Sequence, residues 1–300
     1  MKKILLTSLL AVFAVALQAQ TLPVLLVSQD AASLGLAQAS LAADAGAYSI
    51  DINSSAAVFS SQKMSAAVSY GIWQPLASSG KIISSGGWWN GGKWAAGLAF
   101  KRLGMEGYEI ITPNGVVSQK DGVFNPSEFA LALGGAYKVM DVLSVGATLR
   151  LVSSSLGASA KASAFNADIS ATFNNGPLRA GIKVGNLGPK VSYGEDSSYD
   201  QPMIASAAAS YSIIDGLRVL AQADWMPAGA FMAGAAAEYG WKDMVFARAG
   251  YHLGTGNKGT ASYASAGLGA KFAGVRLDAA YVFMGENLRN SLQFTLGYSF

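Results

Sequence analysis

The chain ends on residues 290–300, "NSLQFTLGYSF", and this stretch decides the fold. Counting back from Phe300, every second residue is apolar: Tyr298, Leu296, Phe294 and Leu292. The residues between them, Ser299, Gly297, Thr295, Gln293 and Ser291, are small or polar. A strand turns its odd and even side chains to opposite faces, so one face here is oily and the other tolerates water. In a soluble sandwich the oily face is the core. In a closed membrane barrel it is the outside.

The opposite end of the chain chooses between these readings. "MKKILLTSLLAVFAVALQAQ" carries Lys2 and Lys3, an apolar run from Ile4 to Leu17 and a small-residue cleavage site at Leu17–Ala19. This reads as a secretory signal peptide over residues 1–19, too short to cross a bilayer as a helix. Cleavage after Ala19 exposes Gln20, and no Cys follows to take a lipid anchor. A two-membrane bacterial envelope is the expected destination.

Composition agrees. Charged residues make up 13%, about half the share usual in soluble domains. Hydrophobics reach 51%, yet they are interleaved with 35 Gly and many Ala and Ser. No run after the signal approaches the ~18 apolar residues of a transmembrane helix. A spanning chain without helices must close into a barrel to satisfy its backbone in lipid. Loss of Lys2 and Lys3 leaves 19 basic against 18 acidic residues, so nucleic acid is not implied. With no Cys and one His (His252), a Cys-rich zinc site, a thiol nucleophile and a disulfide framework are all excluded. No metal or other cofactor is expected. "GTGNKG" (254–259) lies between two alternating runs with no helix after it, and reads as a loop.

Alternating runs of about ten residues, the mark of barrel strands, fall at 64–75, 79–90, 93–103, 127–138, 141–153, 160–173, 177–187, 202–213, 216–226, 230–240, 243–253, 260–272, 275–284 and 291–300. The expected fold is therefore all-β: an antiparallel transmembrane barrel of fourteen strands over 64–300. Even-numbered connections are tight and rich in Gly, Asn or Asp, as hairpin turns require. The longest connections, 104–126 and 188–201, are odd-numbered. Short turns should be periplasmic and long loops extracellular, which places both chain ends in the periplasm. Residues 20–63 precede the first strand and read as a periplasmic plug entering the lumen, because Leu34, Leu36, Ile50, Ile52, Val58 and Phe59 argue for burial; the alternative is a loose periplasmic tail.

Alternation also sorts the charges. Arg150 opposes Leu149 and Leu151, Arg218 and Asp224 oppose Val219 and Trp225, Arg248 opposes Tyr251, and Arg276 and Asp278 oppose Leu277 and Tyr281. An Arg or Lys facing lipid at the midplane costs ~2–4 kcal/mol. These charges should therefore face the lumen, as should Asp168, Arg179 and Lys183. Mutual pairing between wall and plug is the expected use, since buried charges need partners. The alternative is a polar substrate path. Trp73, Trp88, Trp89, Trp94, Trp225 and Trp241 lie near strand ends, where aromatic girdles belong. His252 beside the lumen has no Ser and acid at a fixed spacing, so catalysis is not expected.

Several blocks carry a family resemblance: "LPVLLVSQDAASLGLAQASLAADAGAYSIDINSSAAVF", "FKRLGMEGYEIITPNG", "NPSEFALALGGAYKV", "AFNADISATF" and "KVGNLGPKVSYG". In content and order they resemble the PorV/PorQ family of outer-membrane proteins, found in the type IX secretion system of Bacteroidetes. The resemblance implies a fourteen-stranded FadL-like barrel with an N-terminal plug. It also implies a non-enzymatic role, collecting exported cargo by its C-terminal signal domain and handing it to a surface attachment complex. The partners would be outer-membrane lipid, secreted cargo proteins and other secretion-system subunits. With the lumen plugged, the working surface would be the outer loops, chiefly Tyr108, Glu109, Ile110 and Ile111, with Tyr193 in the second long loop. The alternative is a transporter with a hydrophobic ligand in the barrel, passing it sideways through a wall opening. "SSGGWW" (84–89) would then mark the kink.

Overall fold

The computed structural model describes residues 22–73, 80–114, 117–157, 160–194, 198–255, 259–283 and 291–300, with the side chains of 111–121 and 255 left aside. The signal peptide expected over residues 1–19 lies outside these residues. The first strands are β1 (Met64–Trp73), β2 (Gly80–Asn90), β3 (Trp94–Gly104), β4 (Tyr108–Asn114), β5 (Val117–Phe124), β6 (Ser127–Met140), β7 (Leu143–Ser155), β8 (Lys161–Asn175) and β9 (Leu178–Leu187). They are followed by β10 (Val191–Ser192), β11 (Ser198–Tyr199), β12 (Ile204–Ile214), β13 (Leu217–Met226), β14 (Ala230–Trp241), β15 (Val245–Thr255), β16 (Tyr263–Phe272), β17 (Val275–Phe283) and β18 (Ser291–Ser299).

Fourteen of these strands form one closed antiparallel barrel, each paired with its sequence neighbours, and β1 closes onto β18. The pairs β4–β5 and β10–β11 are separate hairpins inside the two long connections. No helix among the described residues is long and apolar enough to cross a membrane. The alternation read at the C-terminus is the alternation of the wall. Phe294, Leu296 and Tyr298 are about half exposed, while Gln293 and Thr295 are buried inside. The short turns gather at one end. Ala273 and Gly274 both take positive φ, 50° and 82°, the backbone that a two-residue hairpin turn needs to match strand twist.

Residues 22–62 lie against the inward faces of the strands. They form a 3-10 turn (Pro23–Leu25), helix α1 (Ala31–Gly35), helix α2 (Ser49–Asn53) and a 3-10 stretch (Ser54–Phe59). Helices this short leave most backbone groups without internal partners, and the wall supplies them. Thr295 Oγ1 accepts from Ala31 N at 2.9 Å, Ser265 Oγ from Ala37 N at 3.1 Å and Gln222 Oε1 from Leu41 N at 3.0 Å. In the other direction, Thr148 Oγ1 donates to the Ile50 carbonyl and Ser144 Oγ to the Ser55 carbonyl, each at 2.6 Å. The small and polar side chains of the inward pattern are thus hydrogen-bonding partners for this segment.

Three observations bear on these expectations. Among the described residues, the first and the last lie at opposite ends of the barrel. Phe300 hydrogen-bonds with Met64 at the short-turn end. Leu22 and Val24 instead bury in the same apolar cluster as Trp73, Leu103 and Tyr263, at the end that carries the long loops, and Val24 N donates to Glu128 Oε2 at 3.0 Å. The reason is the apolar character of Leu22, Val24 and Val27, which finds cover under those loops rather than at the turns. Second, Trp73 and Trp88 are not girdle residues. They are 8% and 3% exposed, and Trp88 Nε1 donates to the Gly46 carbonyl at 2.7 Å, a partner a buried indole needs. Third, "SSGGWW" marks no wall break. β2 pairs without a register shift on both sides, and a Cβ at Gly86 would stand 2.9 Å from the Tyr48 ring. The glycine makes room for the N-terminal segment.

Candidate functional site

Two regions gather the residues that sequence reading singled out: a set of charges inside the barrel and the rim formed by the long loops.

The charges form three groups, each built around a contact that alternation forces inward. At the centre stands Arg150 on β7, 3% exposed. Its Nε donates to Asp51 Oδ1 at 2.7 Å, Nη2 to Asp168 Oδ2 at 2.9 Å and Nη1 to Asn166 Oδ1 at 2.8 Å. Asp51 belongs to α2, so this guanidinium links the N-terminal segment to the wall. Lys101 on β3 holds the other Asp51 oxygen at 3.2 Å, and Gln29 donates to the same carboxylate. Lys183 stands 3.8 Å from Asp168. Asn186, with φ 57°, bulges β9 inward so that its backbone N–H donates to Asp168 at 2.8 Å. A left-handed Asn is tolerated because its side chain bonds locally.

The second group sits toward the short turns. Asp44 of the N-terminal segment lies between Arg179 at 3.0 Å and Arg218 at 2.5 Å. The third belongs to the wall alone. Arg248 meets Glu238 at 2.6 Å and Asp278 at 2.7 Å, Arg276 meets Asp278 at 2.7 Å, and both guanidiniums lie over the Phe246 ring. Asp224 stands apart from all three, accepting both bonds from Gln222 at 3.0 Å.

Sequence reading did not single out Lys101, Glu128, Glu238, Asp44 or Asp51. Lys101 adjoins Arg102 in "AFKRLG", and the pair alone does not say which points inward. Asp44 and Asp51 lie in a segment without a period. Glu128 had a usable signal: it alternates with Phe129 and Leu131, which puts it on the lumen side.

Two cavities remain beside the segment. One of about 130 Å³ is bounded by Gln29, Asp51, Lys101, Lys183 and Asp224. The other, about 400 Å³, opens toward the short turns and is bounded by Asp44, Arg179, Glu238, Lys271 and Arg276. Charged and apolar side chains line both. Among the described residues no group of three or more metal-ligating side chains comes together. His252 faces Thr260 Oγ1 at 2.6 Å and stacks on Tyr263 at 4.8 Å, an arrangement of packing and satisfied hydrogen bonding.

At the rim, β4 and β5 form a hairpin in which Tyr108 pairs with Phe124, Glu109 with Val123, Ile110 with Gly122 and Ile111 with Lys120. Tyr108 is 46% exposed, yet its Oη donates to the Leu156 carbonyl at 2.8 Å, tying the hairpin to the β7–β8 connection. Val123 is 62% exposed, Glu109 is exposed, and Ile110 is half-buried. The Ile111 side chain lies outside the described set. Tyr193 packs onto the buried cluster around Val24 and against Tyr199, with ring centroids 6.1 Å apart.

A closed fourteen-stranded barrel with an oily outer face and a charged interior is an outer-membrane barrel. Its fold is FadL-like. It resembles the Ralstonia pickettii toluene transporter TbuX, with a TM-score of 0.68 and 13% identity over 90% of this chain and 97% of that one. It also resembles the P. putida toluene transporter TodX, with a TM-score of 0.70 and 12% identity over 91% and 98%. The CymD monoaromatic hydrocarbon channel gives 0.66 and 14% over 94% and 98%. Identities this low speak for fold alone. No curated protein matches the chain. The chain itself belongs to the family of the type IX secretion system protein PorV, whose model matches residues 15–215.

Proposed function

We propose that this chain is the cargo-receiving barrel of a type IX secretion-type system, with residues 22–62 as its plug. In this reading the long-loop end faces outside, the short turns and Phe300 face the periplasm, and the role is non-enzymatic. Exported proteins are gripped at the rim by their C-terminal signal domain and passed to a surface attachment complex. The observation that carries the reading is the central ion cluster. Asp51 of the proposed plug is held by two buried wall cations, Lys101 and Arg150, which supports reading the lumen as an interior rather than a path, with the rim as the working surface. Family membership supports the same assignment.

The β4–β5 hairpin is the proposed grip, with Tyr108, Ile110 and Val123 as apolar contacts, Glu109 and Ile111 beside them and Tyr193 on the neighbouring loop. Apolar anchors within a polar rim are what binding hot spots are made of. Replacing Tyr108, Ile110 and Val123 together by Ser should leave the barrel folded and heat-modifiable on gels. Co-purification of secreted proteins should fall about tenfold or more, which corresponds to ~1.4 kcal/mol. Full retention of those partners would move the docking surface elsewhere.

A second reading, transport of a hydrophobic small molecule, is favoured by the likeness to toluene transporters and a monoaromatic hydrocarbon channel. Both cavities are lined by charged as well as apolar side chains, and the charged part of the lining weighs against it, because an apolar solute gains little beside buried charge.

A further inference from the structure

On the outer face of the wall, two adjacent cations break the apolar surface of β2 and β3 at the long-loop end. Lys81 is the second residue of β2, and Arg102 stands near the end of β3. Both are exposed, while their strand neighbours Ile82, Lys101 and Leu103 are buried inside. Arg102 pairs with Ile83 and Lys81 with Gly104, so the two side chains are diagonal neighbours on one face, about 7–8 Å apart at the backbone. Long side chains at that spacing can hold one anionic group between them.

Their surroundings define the depth. Ile83 and Phe129, the cross-strand partners of Arg102 on either side, are 50% and 37% exposed, and Leu131 below them is 46% exposed. These are lipid-facing apolar side chains. A charge on such a face is costly at the midplane and cheap near the headgroups, so the pair marks the headgroup level. Neither cation has an ion-pair partner among the described residues, whereas Glu106 and Glu109 in the connection that follows have interactions of their own.

We infer that Lys81 and Arg102 form a binding site for the phosphate of an outer-leaflet lipid, with the acyl chains lying along Ile83, Phe129 and Leu131. The site rests on the reading that the long-loop end faces outside, where the leaflet lipid is the phosphorylated glucosamine lipid A. Guanidinium and ammonium are the side chains suited to phosphate oxygens. A lipid held here would fix the β2–β3 wall in the leaflet beneath the hairpin that β3 leads into.

The full-length protein, purified in mild detergent, tests this against three probes: bisphosphorylated lipid A, dephosphorylated lipid A and inorganic phosphate. Wild type should bind lipid A at least tenfold more tightly than the dephosphorylated form, and inorganic phosphate should compete only weakly. The K81Q/R102Q variant should lose that preference, while K161Q, which removes an exposed cation at the start of β8, should keep it. Heat-modifiability of each variant checks the fold. Unchanged lipid A binding by K81Q/R102Q, or equal binding of the dephosphorylated lipid, would overturn the site. Inorganic phosphate competing as strongly as lipid A would overturn its lipid character. A preference for phosphatidylglycerol over lipid A that still depends on Lys81 and Arg102 would overturn the orientation instead.

Discussion

Asp51 is the residue on which the relation between segment and wall turns. It is 6% exposed, and burial by itself would raise its carboxyl pKa. The Arg150 guanidinium and the Lys101 ammonium outweigh that and hold it below the ordinary carboxylate value. Because the folded value is depressed, the stability this group contributes is fully present above the ordinary aspartate pKa. It is lost as pH falls through the depressed folded value. Asp51→Asn leaves Lys101 buried without its acid, a loss of about 3–5 kcal/mol for a broken buried pair. The N-terminal segment should then become protease-sensitive at neutral pH, with the barrel still heat-modifiable, and the acid-dependent loosening expected of the unaltered protein should vanish. Lys271→Gln breaks the Lys271–Asp243 pair at 2.7 Å, whose acid side chain is 72% exposed. That change should cost within ~1 kcal/mol. Equal protease sensitivity in the two variants would refute the central role of the cluster.

At the scale of elements, what could be read from sequence followed from period and turn chemistry. "NSLQFTLGYSF" and "DVLSVGATLRLV" keep a strict alternation, and each appears as a strand with its oily face outward. The period is silent where two like residues adjoin. Trp88 and Trp89 differ only in parity, and the lumen takes the first. The hairpin in the third connection was also illegible as strands. Pro113 and the Gly122 backbone at φ 137° interrupt its pattern, and it shows no continuous oily face. The path of the N-terminal segment carries no period at all, so its direction depends on tertiary contacts such as Val24 to Glu128. Topology follows from these elements. An epitope joined before Leu22 and another inserted in the 105–126 connection should both be reachable on intact cells. One inserted at Asn175, in a short turn, should need permeabilised cells. Exposure of the Asn175 site with the other two hidden would reverse the orientation.

Taken whole, the described chain is a closed wall with residues 22–62 hydrogen-bonded to its inner face. In the proposed reading the rim is the working surface, and the exposed Tyr108 and Val123 of the β4–β5 hairpin would meet exported protein there. The most direct measurement is a photo-reactive residue at Val123, activated in cells that are secreting. The account predicts adducts with the C-terminal domain of secreted proteins, absent when the cargo lacks that domain. Adducts with lipid alone, alongside normal secretion, would contradict it.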